Sequence, residues 1–212
     1  MLLAEGIGRP AEPFGDLLPF EPFGVGSDEV YAVSFTVDLS EATPRSTSVR
    51  TGKFEDVDEG DSRTVGQRYW GIDGVGTPVV NRDDVITLVV PVEHDSSRID
   101  PALTSFRGAM PGNLAAYLPA YRAGTMSRDV LISRLKADFK NALESALEAN
   151  VDRGFLGTAT RDDLIGDVKE LRWTAEQLDR ARTGSRQSQM IEFTGDGGRY
   201  QLHFGLDLAE VV

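Results

Sequence analysis

Between Thr125 and Gly184 the apolar residues recur at helical spacing, and this periodicity limits the fold more than any other feature of the chain. From Ser127 to Val151, the residues Leu131, Leu135, Phe139, Ala142, Leu143, Ala146 and Leu147 fall at steps of three and four, which gathers them on one broad face that must be buried. Ser127 stands where an N-cap hydroxyl is wanted, and Asp129 where the positive end of the helix dipole favours an acid. A second helical pattern is read from Thr160, whose hydroxyl can cap a turn holding Asp162 and Asp163, to Gly184, a left-handed terminator. Leu164, Val168, Leu171, Ala175 and Leu178 form its narrower stripe. Joined by residues 151–160, the two patterns predict an antiparallel helical hairpin. Trp173 points away from the second stripe, so it is either covered within the chain or offered to a partner, and it is an interface candidate on that account.

Residues 1–28 read differently. Pro10, Pro13, Pro19 and Pro22 remove backbone donors and block regular helix, while Phe14, Phe20 and Phe23 supply more apolar surface than a free tail carries. The segment Glu-Pro-Phe-Gly occurs twice, at Glu12–Gly15 and Glu21–Gly24. This is an irregular arm that must lie along something, either its own core or a neighbouring subunit, and its three phenylalanines are interface candidates.

From Asp28 the period changes to two. Tyr31, Val33, Phe35, Val37 and Leu39 alternate with small or polar residues, which predicts a strand with one buried face. Weaker strand patterns follow at Ser48–Val57 and Arg63–Ile72, separated by an acidic turn. Val85–Val92 is apolar at nearly every position and predicts a central strand covered on both sides. Asp100-Pro101 opens a short helix cut off by Gly108 and Pro111, and another is read at Asn113–Arg122. At the far end, Gln189–Thr194 pairs across Gly195–Gly198 with Tyr200–Leu208. Elements that are segregated in this way, with strands over 29–93, helices over 100–184 and a C-terminal β-hairpin over 188–208, predict one α+β domain at 29–212. It should consist of a largely antiparallel sheet with a long helical hairpin packed on it and an irregular N-terminal arm.

The chemistry the chain can carry is narrowed by what it lacks. There is no cysteine, so disulfides, thiolate catalysis and cysteine-held metals are excluded. With 34 acidic against 22 basic residues the formal charge is −12, a surface that repels a phosphate backbone unless its cations cluster. No direct nucleic-acid partner and no membrane contact are therefore expected. The longest apolar run, Ile86–Val92, is too short to span a bilayer, and Met1–Ala4 runs directly into Glu5 without a secretory pattern. The chain is accordingly expected in the cytoplasm or in an assembled particle. Arginine outnumbers lysine 18 to 4, a mark of origin more than of activity.

Of the two histidines, His94 sits between Glu93 and Asp95 at the end of a core strand, and His203 falls on the outward side of the last one. The acidic stretch 55–61 does not have the order of a calcium loop and reads as a solvated turn. No phosphate-binding glycine loop and no nucleophile elbow occurs. One carboxylate set deserves a place as an alternative: Asp83 and Asp84 precede the apolar strand and Glu93 closes it, which suggests a metal-dependent hydrolase or nuclease if the three share an ion. The leading expectation is otherwise a non-enzymatic structural or assembly subunit of a larger homo- or hetero-oligomer without a cofactor, such as a capsid, neck or tail component of a tailed virus. An acidic adaptor in a multi-protein complex is the other alternative. Other protein subunits are the expected partners.

Overall fold

The computed structural model describes residues 28–57, 82–95, 99–153, 159–160, 162–195 and 198–206. In chain order the elements are β1 (Asp28–Asp38), β2 (Arg45–Arg50), β3 (Phe54–Val57), a 3-10 turn (Arg82–Asp84), β4 (Val85–Glu93), α1 (Ile99–Arg122), α2 (Arg128–Ala149), β5 (Asp152–Arg153), β6 (Ala159–Thr160), β7 (Asp163–Leu164), β8 (Lys169–Leu171), α3 (Ala175–Arg182), β9 (Gln187–Gly195) and β10 (Gly198–Leu206). The arm with Phe14, Phe20 and Phe23, most of the acidic stretch 55–61 and the strand expected at Arg63–Ile72 lie outside the described residues.

β1 and β4 pair antiparallel along their whole length, Tyr31 opposite Val92 and Val37 opposite Ile86, and they form the centre of a six-stranded sheet. Each outer position is shared by two short strands. β2 and then β3 run along β1, while β8 and β7 run along β4. Both interruptions have a local cause. Beside β1, the Thr51 hydroxyl accepts from the Ala32 N–H at 2.9 Å in place of a backbone carbonyl, which ends the regular ladder of β2. Beside β4, the Pro91 carbonyl accepts from the Ile165 N–H at 3.0 Å, so the side of Pro91 facing that edge lacks a donor of its own. β8 pairs only as far as Val89 and β7 only from Val92.

The sheet is covered on both faces. Tyr31, Val33, Phe35 and Val37 of β1 and Ile86, Leu88, Val90 and Val92 of β4 share one core with the α1–α2 hairpin. The intervening positions Val30, Ala32, Val85 and Val89 face a second core built from Leu171, Trp173, Phe193, Tyr200, Leu202, Phe204 and Leu206. β1 thus has two buried faces, not the single one its alternation predicts, because its small alternate residues leave room for the β9–β10 hairpin. Between the layers the Thr36 and Thr87 hydroxyls satisfy each other at 3.1 Å.

The expected class is the one observed, α+β with an antiparallel sheet and a helical hairpin packed on it, but the hairpin has a different first arm. α2 is as predicted: the Ser127 hydroxyl accepts from the Val130 N–H, and Leu131, Leu135, Phe139, Leu143, Ala146 and Leu147 are buried. Its partner is α1, one continuous helix where two broken ones are expected. Pro111 and Pro119 stand inside it, and the buried stripe Ile99, Ala102, Leu103, Phe106, Met110, Leu114, Leu118 runs past them. An internal proline costs about 3 kcal/mol, whereas burying each large side chain of that stripe returns about 1.5–3 kcal/mol, so the stripe wins. The turn to α2 passes through Gly124 at φ +70°.

The helix expected over Thr160–Gly184 does not form. That stretch holds β7, β8 and the short α3, which begins at a Thr174–Gln177 capping box and ends before Gly184 at φ +86°. The obstacle is Gly166. Its φ is +78°, and a Cβ there would lie 2.8 Å from the Thr194 carbonyl oxygen, while one on Gly195 would lie 2.6 Å from the Gly166 nitrogen. Two backbones cross at a separation only glycine permits. Ile165 then turns into the second core and Leu164 packs against the first, a division across a sheet that no single helical stripe provides.

Candidate functional site

Donors from three residues converge on one buried carboxylate at the end of β4. The Asp162 side chain is fully buried. Its Oδ2 accepts from the Tyr31 hydroxyl at 2.9 Å and lies 3.1 Å from His94 Nδ1, and its Oδ1 accepts from the Asp95 N–H at 3.0 Å. The sheet register assembles them. Val30 pairs with Glu93 and the His94 N–H donates to the Glu29 carbonyl, which sets Tyr31 and His94 side by side, ring centroids 5.9 Å apart and edge to face. Pairing of Glu93 with Asp163 delivers Asp162 to them.

The electrostatics follow from the geometry. An ionised carboxylate only accepts, so in the neutral imidazole the proton sits on Nδ1 and Nε2 keeps its lone pair. Burial, and then the Asp162 charge and hydrogen bond, push the Tyr31 hydroxyl far above its ordinary value of 10.0, against the opposing pull of Arg50. The Arg50 guanidinium stands 5.9 Å from the Tyr31 ring and 3.6 Å from Asp100. An imidazole oriented by a carboxylate is the base half of a nucleophilic relay. Among the described residues no serine or threonine hydroxyl is hydrogen-bonded to His94. The first consequence of the cluster is therefore architectural: it pins the chain entering β7 to the end of the sheet.

The residues singled out in the sequence are dispersed. Asp84 immediately precedes β4 and Glu93 ends it; nine residues of strand at about 3.3 Å each place them about 30 Å apart. Asp83, Asp84 and Glu93 therefore cannot share an ion. Asp83 instead binds Arg172 at 2.8 Å and its carbonyl accepts from Arg128 Nε. Burial, then the neighbouring Asp38 and Asp83, hold the Asp84 carboxyl above its usual range despite Arg128. No group of three or more metal-ligating side chains occurs among the described residues. Trp173, an interface candidate when read as the back of a helix, is 2% exposed and belongs to the second core, because it follows strand β8 and points inward with Leu171.

Sequence reasoning noticed His94 but not its partners. The sequence pattern places Asp162 in the first turn of a helix capped by Thr160 and Tyr31 at an ordinary core position, and the two lie 131 residues apart in the chain. No local spacing links them. The only local signal was a histidine flanked by acids where a core strand ends. No protein-family model, curated protein or solved structure matches this chain.

Proposed function

We propose that this protein is a non-enzymatic structural subunit of a larger oligomer, joined to its neighbours through the arm formed by residues 1–27. What supports the reading is the closure of the folded body: the α1–α2 hairpin takes one face of the sheet and β9–β10 with α3 the other. Both faces of the six-stranded sheet are thus occupied by described elements, and an arm with the apolar surface of Phe14, Phe20 and Phe23 needs a surface to cover. A neighbouring subunit supplies it. The formal charge of −12 keeps such subunits apart in solution until a specific contact outweighs their repulsion. An arm attached to an α+β core suits a component of a tailed-virus particle at the capsid, neck or tail. The test is solution mass by light scattering for the full chain and for a chain lacking residues 1–27. The full chain should associate and the shortened one should be monomeric; a monomeric full chain, or association that survives the deletion, would overturn the proposal.

A further inference from the structure

One groove gathers most of the lysine in the protein. The chain has four lysines, and Lys136, Lys140 and Lys169 line a single open groove of about 710 Å³ where the flank of α2 meets β8 and β9. Its floor is apolar, formed by Ala137, Val168 and Ile191. Two acids also border it: Asp167 lies 3.2 Å from Lys140, so those two charges offset each other, and Glu170 lies 2.9 Å from Arg128. Lys169 donates to the Glu192 carbonyl and stands 5.2 Å from the Phe193 ring, and it has no ion pair with a described residue. Lys136 has no ion pair with a described residue. On a chain of net charge −12, Lys136 and Lys169 give this partly apolar groove two cations that no described carboxylate pairs, and it calls for an anionic ligand with an apolar body.

The arm carries that chemistry twice. Residues 1–27 contain Glu5, Glu12, Asp16 and Glu21 against Arg9 alone. A proline disfavours helical backbone at the residue before it, and in an extended chain a glutamate and a phenylalanine spaced as in Glu-Pro-Phe-Gly fall on the same side. One side thus presents a carboxylate beside an aromatic ring. Lys136 and Lys140 are one helical turn apart on α2 and face the same way, with the apolar floor beside them.

We infer that the groove between α2 and the β8–β9 strands receives a Glu-Pro-Phe-Gly segment, Glu12–Gly15 or Glu21–Gly24, from the arm of a second copy of this chain, lysine meeting glutamate and the phenylalanine ring lying on Val168 and Ile191. This rests on the assembly reading above and names the surface through which it operates.

The experiment compares full-length chains by sedimentation. A groove variant carries Lys136→Glu and Lys140→Glu, and an arm variant carries Glu12→Lys and Glu21→Lys. Each alone should self-associate at least tenfold more weakly than wild type, and an equimolar mixture should recover association, because each arm then meets a groove of opposite charge. Added salt should weaken the wild-type complex. The pair Lys136→Gln and Lys140→Gln serves as a milder groove variant, with circular dichroism confirming the fold, and it too should lose association. If wild type and the groove variants associate equally while deletion of residues 1–27 abolishes association, the assembly reading stands and this groove is not the receptor. A mixture that fails to recover likewise overturns the inference, and a monomeric wild type overturns both.

Discussion

Replacing Asp162 by alanine removes the acceptor shared by Tyr31, His94 and the Asp95 N–H. The Tyr31 side chain is 0% exposed, so its hydroxyl loses its partner in a place where water does not replace it. A buried donor left unsatisfied costs about 1–3 kcal/mol, and the part-buried amide of the exposed Asp95 adds a smaller loss because water can reach it. His94, whose side chain is 13% exposed, can turn toward solvent and limits the third. A total of about 3–5 kcal/mol is expected, in the range found when one partner of a buried charged pair is removed. With a urea slope of about 2 kcal/mol/M, the midpoint should fall by roughly 2 M at unchanged slope. A double-mutant cycle isolates the central bond: Asp162→Ala with Tyr31→Phe should show a coupling of about 1.5–3 kcal/mol, the value for a hydrogen bond to a charged group. A loss below about 1 kcal/mol for Asp162→Ala, or a coupling indistinguishable from zero, would mean that the carboxylate does not hold the sheet end in this way.

The Tyr31 hydroxyl gives a pH signature. Its folded-state value is raised, so the stability it contributes is fully present below its unfolded value of 10.0 and is lost as pH rises beyond it; Tyr31→Phe should flatten the decline of the urea midpoint above pH 10. Trp173→Ala should cost about 3–5 kcal/mol by removing a buried indole, and should leave the solution mass of the folded chain unchanged; a change in mass without loss of stability would contradict its place in the core. The glycines of α1 and of the loop before β8 should respond oppositely. Gly112→Ala has open space at its Cβ and should stabilise the helix by about 1 kcal/mol, whereas Gly166→Ala meets the Thr194 carbonyl at a positive φ and should lower the melting temperature sharply.

How much of this was legible depended on whether a pattern had one structural solution. The stripe of α2, the doubly buried β4 and the alternation of Tyr200, Leu202, Phe204 and Leu206 each had one, and each is found in place. The stretch Thr160–Gly184 had two. Its apolar residues at steps of three and four fit a helical stripe, yet they also divide between two cores when the chain lies at a sheet edge, and the deciding contact is the crossing of Gly166 with Gly195, nearly thirty positions away. In α1 the prolines, taken locally, predict two short helices, while the stripe that carries the helix past them is set by the sheet beneath. The Asp162 cluster was out of reach for the same reason, since its members meet only after β1, β4 and β7 have paired.

The doubly covered sheet also restricts where this protein can bind anything. β1 and β4 are buried on both faces, so their side chains are unavailable, and contact with another molecule is left to helix backs, strand edges and the seams where layers meet. Several arginines are committed within the fold: Arg128 ties Asp83, Val85 and Glu170 together, Arg172 holds Asp83, and Arg45 holds Asp38 and Glu41. Three of the four lysines stand on one seam, where Lys140 is paired with Asp167 and Lys136 has no ion pair with a described residue. An extended segment can be laid into a seam without repacking either core, and its glutamates would meet Lys136 there. That is why charge reversal at Lys136 and Lys140 tests the assembly more sharply than any substitution in the cores, where loss of association and loss of the fold would look the same.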